Sequence, residues 1–260
     1  MHVLLAVLAL AAPPPSAPLP ERPAEVAEAL AATTAGLHRA IDGWQAGPAA
    51  AGPTPREVSL WALHQQRLFL KLTYDRDLGR RTRPLLSRDA RLTVDARRRL
   101  VELTPPTTLP LSAFRTGPSL PARTLLRHYR EAERRFGVEW EVLAAVNFVE
   151  TGFNRLRSRS SAGAQGPMQF MPATWRAYGL GGDVHDPHDA ILGAANYLRA
   201  SGAARDVRGA LWHYNHSQRY VDAVVTFAAQ MRRDADVLFA YHAWQVFIKT
   251  PAGPRRITGP

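Results

Sequence analysis

The chain has 260 residues, 46% of them hydrophobic, enough to bury one full core or two small ones. Its 33 Lys plus Arg against 22 Asp plus Glu give a net charge of +11, which favours polyanions or anionic surfaces as partners. The absence of cysteine excludes disulfides and thiolate metal sites. Nucleic acid is disfavoured as a partner by the lack of zinc-finger spacings, RNA-binding aromatic motifs and aromatic-interleaved basic repeats.

Residues 1–22 read as a signal peptide, or an uncleaved apolar N-terminal anchor, with a Pro-rich linker. Val3 to Ala12 is a short apolar run ended by Pro13-Pro14-Pro15, too short to span a bilayer and of the length of a signal-peptide core, with Ala9-Leu10-Ala11 as an Ala-x-Ala cleavage site. No Lys or Arg precedes the run, so its charged start is either missing or upstream. Residues 23–103 read as a small helical region with three stripes: Val26, Leu30, Leu37, Ile41 and Trp44; Val58, Trp61, Leu68 and Leu72; Leu92, Ala96, Leu100 and Leu103. Gly47 to Pro55 and Gly79 to Pro84 read as connections, and Arg97, Arg98 and Arg99 as a solvated helix face. Residues 104–121 carry five prolines and read as an extended linker. Packing against the following domain is the expected role of the helical region.

Residues 122–233 read as wholly helical. Leu125, Leu126, Tyr129, Ala132 and Phe136 form one stripe, and Glu139 to Thr151 delivers Glu150 at its end. Pro172 to Tyr178 is a short helix begun by proline. Asp186 and Asp206 are N-caps of the next two, and Ser217 of a fourth. In residues 234–260, Ala243 to Ile248 and Arg255 to Ile257 have β-like composition around the turn Pro251-Ala252-Gly253-Pro254, which predicts either a terminal hairpin or a loose tail.

Glu150 draws attention as a lone carboxyl between an apolar segment and a polar, glycine-kinked loop. Leu143, Val146 and Asn147 precede it by seven, four and three residues and share its helix face, so its neighbours are largely apolar. Burial and the negative helix end both raise a carboxyl pKa, as a general acid near neutral pH requires.

Three blocks follow in order: Glu150 to Asn154; Ser160 to Gln169 with Met171-Pro172-Ala173-Thr174; and Tyr214-Asn215 with Tyr220-Val221. Through them residues of about 123 to 228 resemble the lysozyme-like lytic transglycosylases, which cleave bacterial peptidoglycan strands. The loop before Gly163 is about one residue longer than the common pattern, and proline stands at 167 where leucine is frequent. The resemblance implies a mainly α protein, with a lysozyme-like catalytic domain over residues 122–233. It implies that Glu150 is the catalytic acid and base, and that Ser160, Met168, Gln169, Tyr214 and Asn215 bind or orient substrate. Ser158 and Ser161 are alternatives to Ser160. Tyr214 is expected to direct its hydroxyl towards Glu150 or the sugar.

Glycoside hydrolases usually need two carboxylates. Glu150 is the last glutamate in the chain, and Asp183, Asp186, Asp189 and Asp206 are explained as well by turns and caps. The resembling enzymes use the one glutamate twice and form a 1,6-anhydro end on N-acetylmuramic acid, with no metal or organic cofactor. The implied partner is peptidoglycan, with anionic wall polymers suited to the positive charge, and the implied location is the exported space or wall of a bacterium. Other readings are a water-using muramidase, a binding module without turnover, and a zinc site on the pairs His185/His188 and His213/His216. Neither pair has metalloprotease spacing, so no metal is expected.

Overall fold

The computed structural model describes residues 11–260, so most of the apolar run Val3 to Ala12 lies outside the described residues. The fold is mainly α, with eleven α-helices and one two-stranded hairpin among the described residues. The first helices are α1 (Pro23–Ala46), α2 (Arg56–Tyr74), α3 (Arg76–Thr82) and α4 (Arg88–Leu103). α1 starts on a proline, whose missing N–H is an orphan donor in a first turn anyway. α4 starts where the Ser87 hydroxyl accepts the Ala90 N–H at 3.2 Å.

The reading of Gly79 to Pro84 as a connection is corrected, because Asp75 caps α3 by accepting the Leu78 N–H at 2.9 Å and the helix runs through Gly79. That glycine marks close packing rather than a stop: a Cβ there would lie 2.5 Å from the Leu72 carbonyl oxygen.

Then follow α5 (Ala122–Phe136), α6 (Trp140–Thr151), α7 (Pro172–Tyr178), α8 (Pro187–Ala200), α9 (Val207–Tyr214), α10 (Gln218–Arg233) and α11 (Asp236–Ala243). The sequence reading missed α11 and placed Ala243 in the β-like stretch. The strands are β1 (Phe247–Thr250) and β2 (Gly253–Arg256), paired antiparallel with Phe247 opposite Arg256. α8 and α9 begin at Asp186 and Asp206, whose carboxylates accept backbone N–H groups, whereas Ser217 makes no side-chain cap to α10.

One continuous apolar core joins the first four helices to the rest. α4 lies along α10, and a buried polar network ties them to α11: Gln230 Nε2 donates to Thr93 Oγ1 at 3.0 Å, and the Tyr241 hydroxyl donates to Gln230 Oε1 at 2.6 Å. From α2, Gln65 Oε1 accepts the Trp244 indole N–H at 3.1 Å, and Gln66 exchanges two bonds with the Gln245 backbone.

This packing overturns the expectation for the arginines of α4, which are half-buried. The Arg97 guanidinium lies 5.0 Å from the Trp244 ring centre, Arg98 Nη2 donates to the Leu72 carbonyl at 2.8 Å, and Arg99 faces Asp222 at 3.6 Å. Helical periodicity identified their face; the segments covering it come from distant parts of the chain.

Residues 104–121 lie extended but are tied down. Thr107 N–H donates to the Lys249 carbonyl at 2.9 Å, Lys249 Nζ reaches the Val101 and Thr104 carbonyls at the end of α4, and Gly117 N–H donates to the Arg155 carbonyl at 3.0 Å. Buried His242 completes the attachment, with Nε2 donating to the Leu120 carbonyl at 2.9 Å and Nδ1 accepting from the Thr54 hydroxyl at 3.2 Å. Burial, with the nearby Arg155 charge, pulls its pKa down to about 3. An unfolded histidine titrates at about 6.5, so the stability His242 contributes is complete above that value and is lost as pH falls towards 3. His242→Gln is expected to flatten the dependence of melting temperature on pH over this window, measured by thermal unfolding.

No helix among the described residues is long and apolar enough to cross a membrane.

Candidate active site

The site is built on the last turn of α6. Val142 to Asn147 are buried, so this helix is enclosed on nearly every side. Its end is pinned by aromatic packing: Phe148 stacks on Tyr241 with centroids 4.9 Å apart, on Phe153 at 5.6 Å, and meets Phe227 edge-on at 5.0 Å. Gly152, Phe153 and Asn154 then all take left-handed conformations, with φ of 57°, 61° and 66°. Such a run is costly for residues with a Cβ and persists only where the surroundings enforce it. Here Phe153 is fully buried, Thr151 Oγ1 accepts the Asn154 N–H at 2.9 Å, and Arg155 Nη1 donates to the Gly152 carbonyl at 3.1 Å.

The second block folds back over this turn. Asn147 Nδ2 and Thr151 Oγ1 donate to the same Pro167 carbonyl, at 2.9 and 2.7 Å, and the Tyr129 hydroxyl donates to Asn147 Oδ1 at 2.6 Å. A buried chain of hydrogen bonds thus fixes residues 165–170 against α6. Within that segment, Gln165 and Phe170 pair across a tight turn.

Glu150 is half-buried. Burial raises its pKa to about 7, against the opposing effect of a hydrogen bond donated by the Tyr220 hydroxyl to Oε1 at 2.7 Å. The Tyr214 hydroxyl donates instead to the Met168 carbonyl at 2.6 Å, which corrects the expectation that it points to Glu150. Both tyrosines are held well above the usual phenol range, by burial first and by the Glu150 charge second, so they act as hydrogen-bond donors rather than acids at neutral pH. Tyr220 is the residue the sequence reading left without a role. Its signal was present in the third block as Tyr220-Val221, but a buried tyrosine in the first turn of α10 reads equally well as core.

Among the described residues, none of the other expected residues hydrogen-bonds the Glu150 carboxyl. Ser160 is exposed, and its hydroxyl accepts the Ala164 N–H at 3.0 Å; Ser158 accepts the Arg115 N–H at 2.8 Å; Ser161 is exposed. No serine hydrogen-bonds Glu150 among the described residues. Met168 is fully buried, half-buried Gln169 donates from Nε2 to the Gly166 carbonyl at 3.0 Å, and exposed Asn215 ends α9. The aspartates are engaged elsewhere: Asp183 accepts the His185 N–H, Asp189 the Asp183 N–H, Asp186 caps α8 and Asp206 caps α9. Neither expected histidine pair gathers into a cluster. His188 Nε2 instead lies 3.1 Å from Glu131, with the His128 ring 4.7 Å from its own, and these three side chains form a group that could hold a metal ion.

The family model described as Transglycosylase SLT domain matches residues 127–236, which contain Glu150, the three motif blocks and Tyr220. The chain carries a transglycosylase SLT domain. Its helices α1 to α4 and the C-terminal hairpin lie outside the SLT match. The chain is also similar to the membrane-bound lytic murein transglycosylase F of Thiobacillus denitrificans, at 35% identity over 74 residues, which is 28% of this chain and 15% of that relative. No solved structure matches the chain significantly.

Within the SLT domain, the Tyr220 hydrogen bond favours the ionised form of Glu150. Tyr220→Phe is therefore expected to raise the Glu150 pKa further and to move the alkaline limb of the pH–activity profile upward, read from initial rates across pH. An alkaline limb that stays in place would mean that Glu150 is not the group setting it.

Proposed function

We propose that the protein is a peptidoglycan lytic transglycosylase of the bacterial envelope. In this reading it cleaves the β-1,4 bond between N-acetylmuramic acid and N-acetylglucosamine with Glu150 as sole acid and base. The observation that carries the reading is Glu150 itself: a carboxyl with pKa near 7, hydrogen-bonded by Tyr220, with no second acid perturbing it. A group so poised holds a proton and gives it up near neutral pH.

The reaction balances on this one residue. Glu150 donates its proton to the glycosidic oxygen as the bond from that oxygen to the anomeric carbon breaks. The resulting carboxylate then takes the proton of the C6 hydroxyl as that oxygen bonds to the anomeric carbon, giving the 1,6-anhydro end and restoring the acid without water. Ser160, Gln169 and Asn215 are assigned to sugar contacts, and Met168, Tyr214 and Tyr220 to holding the surroundings of Glu150. Export through the segment of residues 1–22, attachment to the wall, and a contribution of the positive charge to binding anionic wall polymers complete the proposal.

Mass spectrometry of fragments released from purified peptidoglycan tests it. Products lighter by one water than hydrolytic fragments are expected. Reducing ends would mean a muramidase with an aspartate partner, and no release at all would favour a binding module.

A further inference from the structure

We propose that the open cavity bordered by the C-terminal hairpin, the segment 116–118 and the turn after α6 is a carboxylate-binding site, held by Arg155 and Arg256. The cavity measures about 580 Å³ and includes Thr116, Gln245 and Thr258 in its wall, with no acidic residue lining it.

Arg155 is half-buried, and the one hydrogen bond of its guanidinium among the described residues is from Nη1 to the Gly152 carbonyl. It makes no ion pair among the described residues. A guanidinium with part of its surface withdrawn from water is stabilised by a counter-charge, and none lines this cavity among the described residues. Burial alone draws its pKa down to about 10.

The other titratable groups facing this region add no compensation. Arg256, at the end of β2, lines the same cavity, and its charge is felt by Arg67 of α2. His242, close to Arg155, stays neutral. Like charges gathered around a cavity are unfavourable on their own and favourable around an anion. The planar fork of a guanidinium matches a carboxylate in bidentate geometry. The open cavity has room for a carboxylate carried on a chain. Its source, the peptide stems attached to peptidoglycan strands, rests on the function proposed above; the binding chemistry does not.

The test uses the full chain and calorimetric or NMR titration with three probes: an N-acetylated dipeptide with a free carboxylate, the same dipeptide as its C-terminal amide, and inorganic phosphate. The acid should bind about tenfold or more tighter than the amide, the ratio expected from losing one charge-assisted hydrogen bond. Arg256→Gln removes an exposed side chain whose loss leaves the fold intact, and should weaken the acid by about tenfold. Arg155→Gln should abolish binding, with circular dichroism as the check on folding. Equal affinity for acid and amide, no binding of the acid, tighter binding of phosphate, or an unchanged Arg256→Gln variant would each overturn the assignment. Because no cleavage is read, a failed transglycosylase assay and a failed binding assay remain separate results.

Discussion

Glu150→Gln is expected to lose peptidoglycan cleavage by roughly 10³-fold or more, the range general acid–base catalysis supplies, while remaining folded and gaining stability at neutral and alkaline pH. The gain follows from linkage. In the folded chain Glu150 holds its proton up to about pH 7, whereas an unfolded glutamate releases it near its ordinary value of 4.5. Between those values the folded state binds the additional proton, so stability is highest below the unfolded pKa, falls as pH rises through this window and levels off above it. A shift of this size corresponds to at most about 3 kcal/mol, reduced by the water that reaches a half-buried group. Glutamine keeps the shape and the acceptor for Tyr220 and carries no charge to bury. Melting curves of both proteins at pH 4.5 and 8 check the claim: the variant should match the parent at the lower pH and exceed it at the higher. A variant that is less stable at pH 8, or that still cleaves, would remove Glu150 from its role.

Gly166→Ala is expected to cost about 3 kcal/mol or more, from a left-handed backbone and forced overpacking together. Gly166 has φ of +75°, and a Cβ on it would lie 1.9 Å from the Val184 carbonyl oxygen, a backbone atom that cannot step aside without moving the segment before α8. Gly163 supplies the control. Its φ is +89°, but a Cβ there meets nothing within 4 Å, so Gly163→Ala should cost only about 1 kcal/mol. Chemical denaturation of the two variants separates steric exclusion from backbone preference. In Gly166→Ala the clamp on the Pro167 carbonyl should loosen as well, taking cleavage down with stability.

Helices whose signals are local were legible in the sequence. Proline at a first turn, aspartate caps and apolar stripes gave the segments from Pro23 to Arg233, apart from the short α3, where the expectation of a glycine breaker overrode the Asp75 cap. Segments defined by distant partners were harder to read. α11 carries Leu238, Phe239, Tyr241 and Trp244 close behind it, a run apolar all round that has no amphipathic period because neighbours cover every face. The arginines of α4 were misread for the same reason, as their partners Trp244 and Leu72 are remote in sequence, and the tie of the extended Pro-rich segment to Lys249 had no local signal either. At the candidate site, Glu150 stood out in the sequence as a lone carboxyl at a helix end beside a kinked loop, and the three motif blocks singled it out. That Tyr220 rather than Tyr214 reaches Glu150 was not legible, since which of two tyrosines meets a carboxyl depends on how α9 and α10 are set against α6.

Gln65 and Gln66 hold the Trp244-Gln245 segment, and Trp244 and Tyr241 in turn press on Phe148, two residues before Glu150. The stretch that defines the family by sequence is therefore shorter than the stretch that determines where its carboxyl sits. A substitution in α2, far outside the matched residues, is therefore expected to shift the Glu150 carboxyl through two layers of packing.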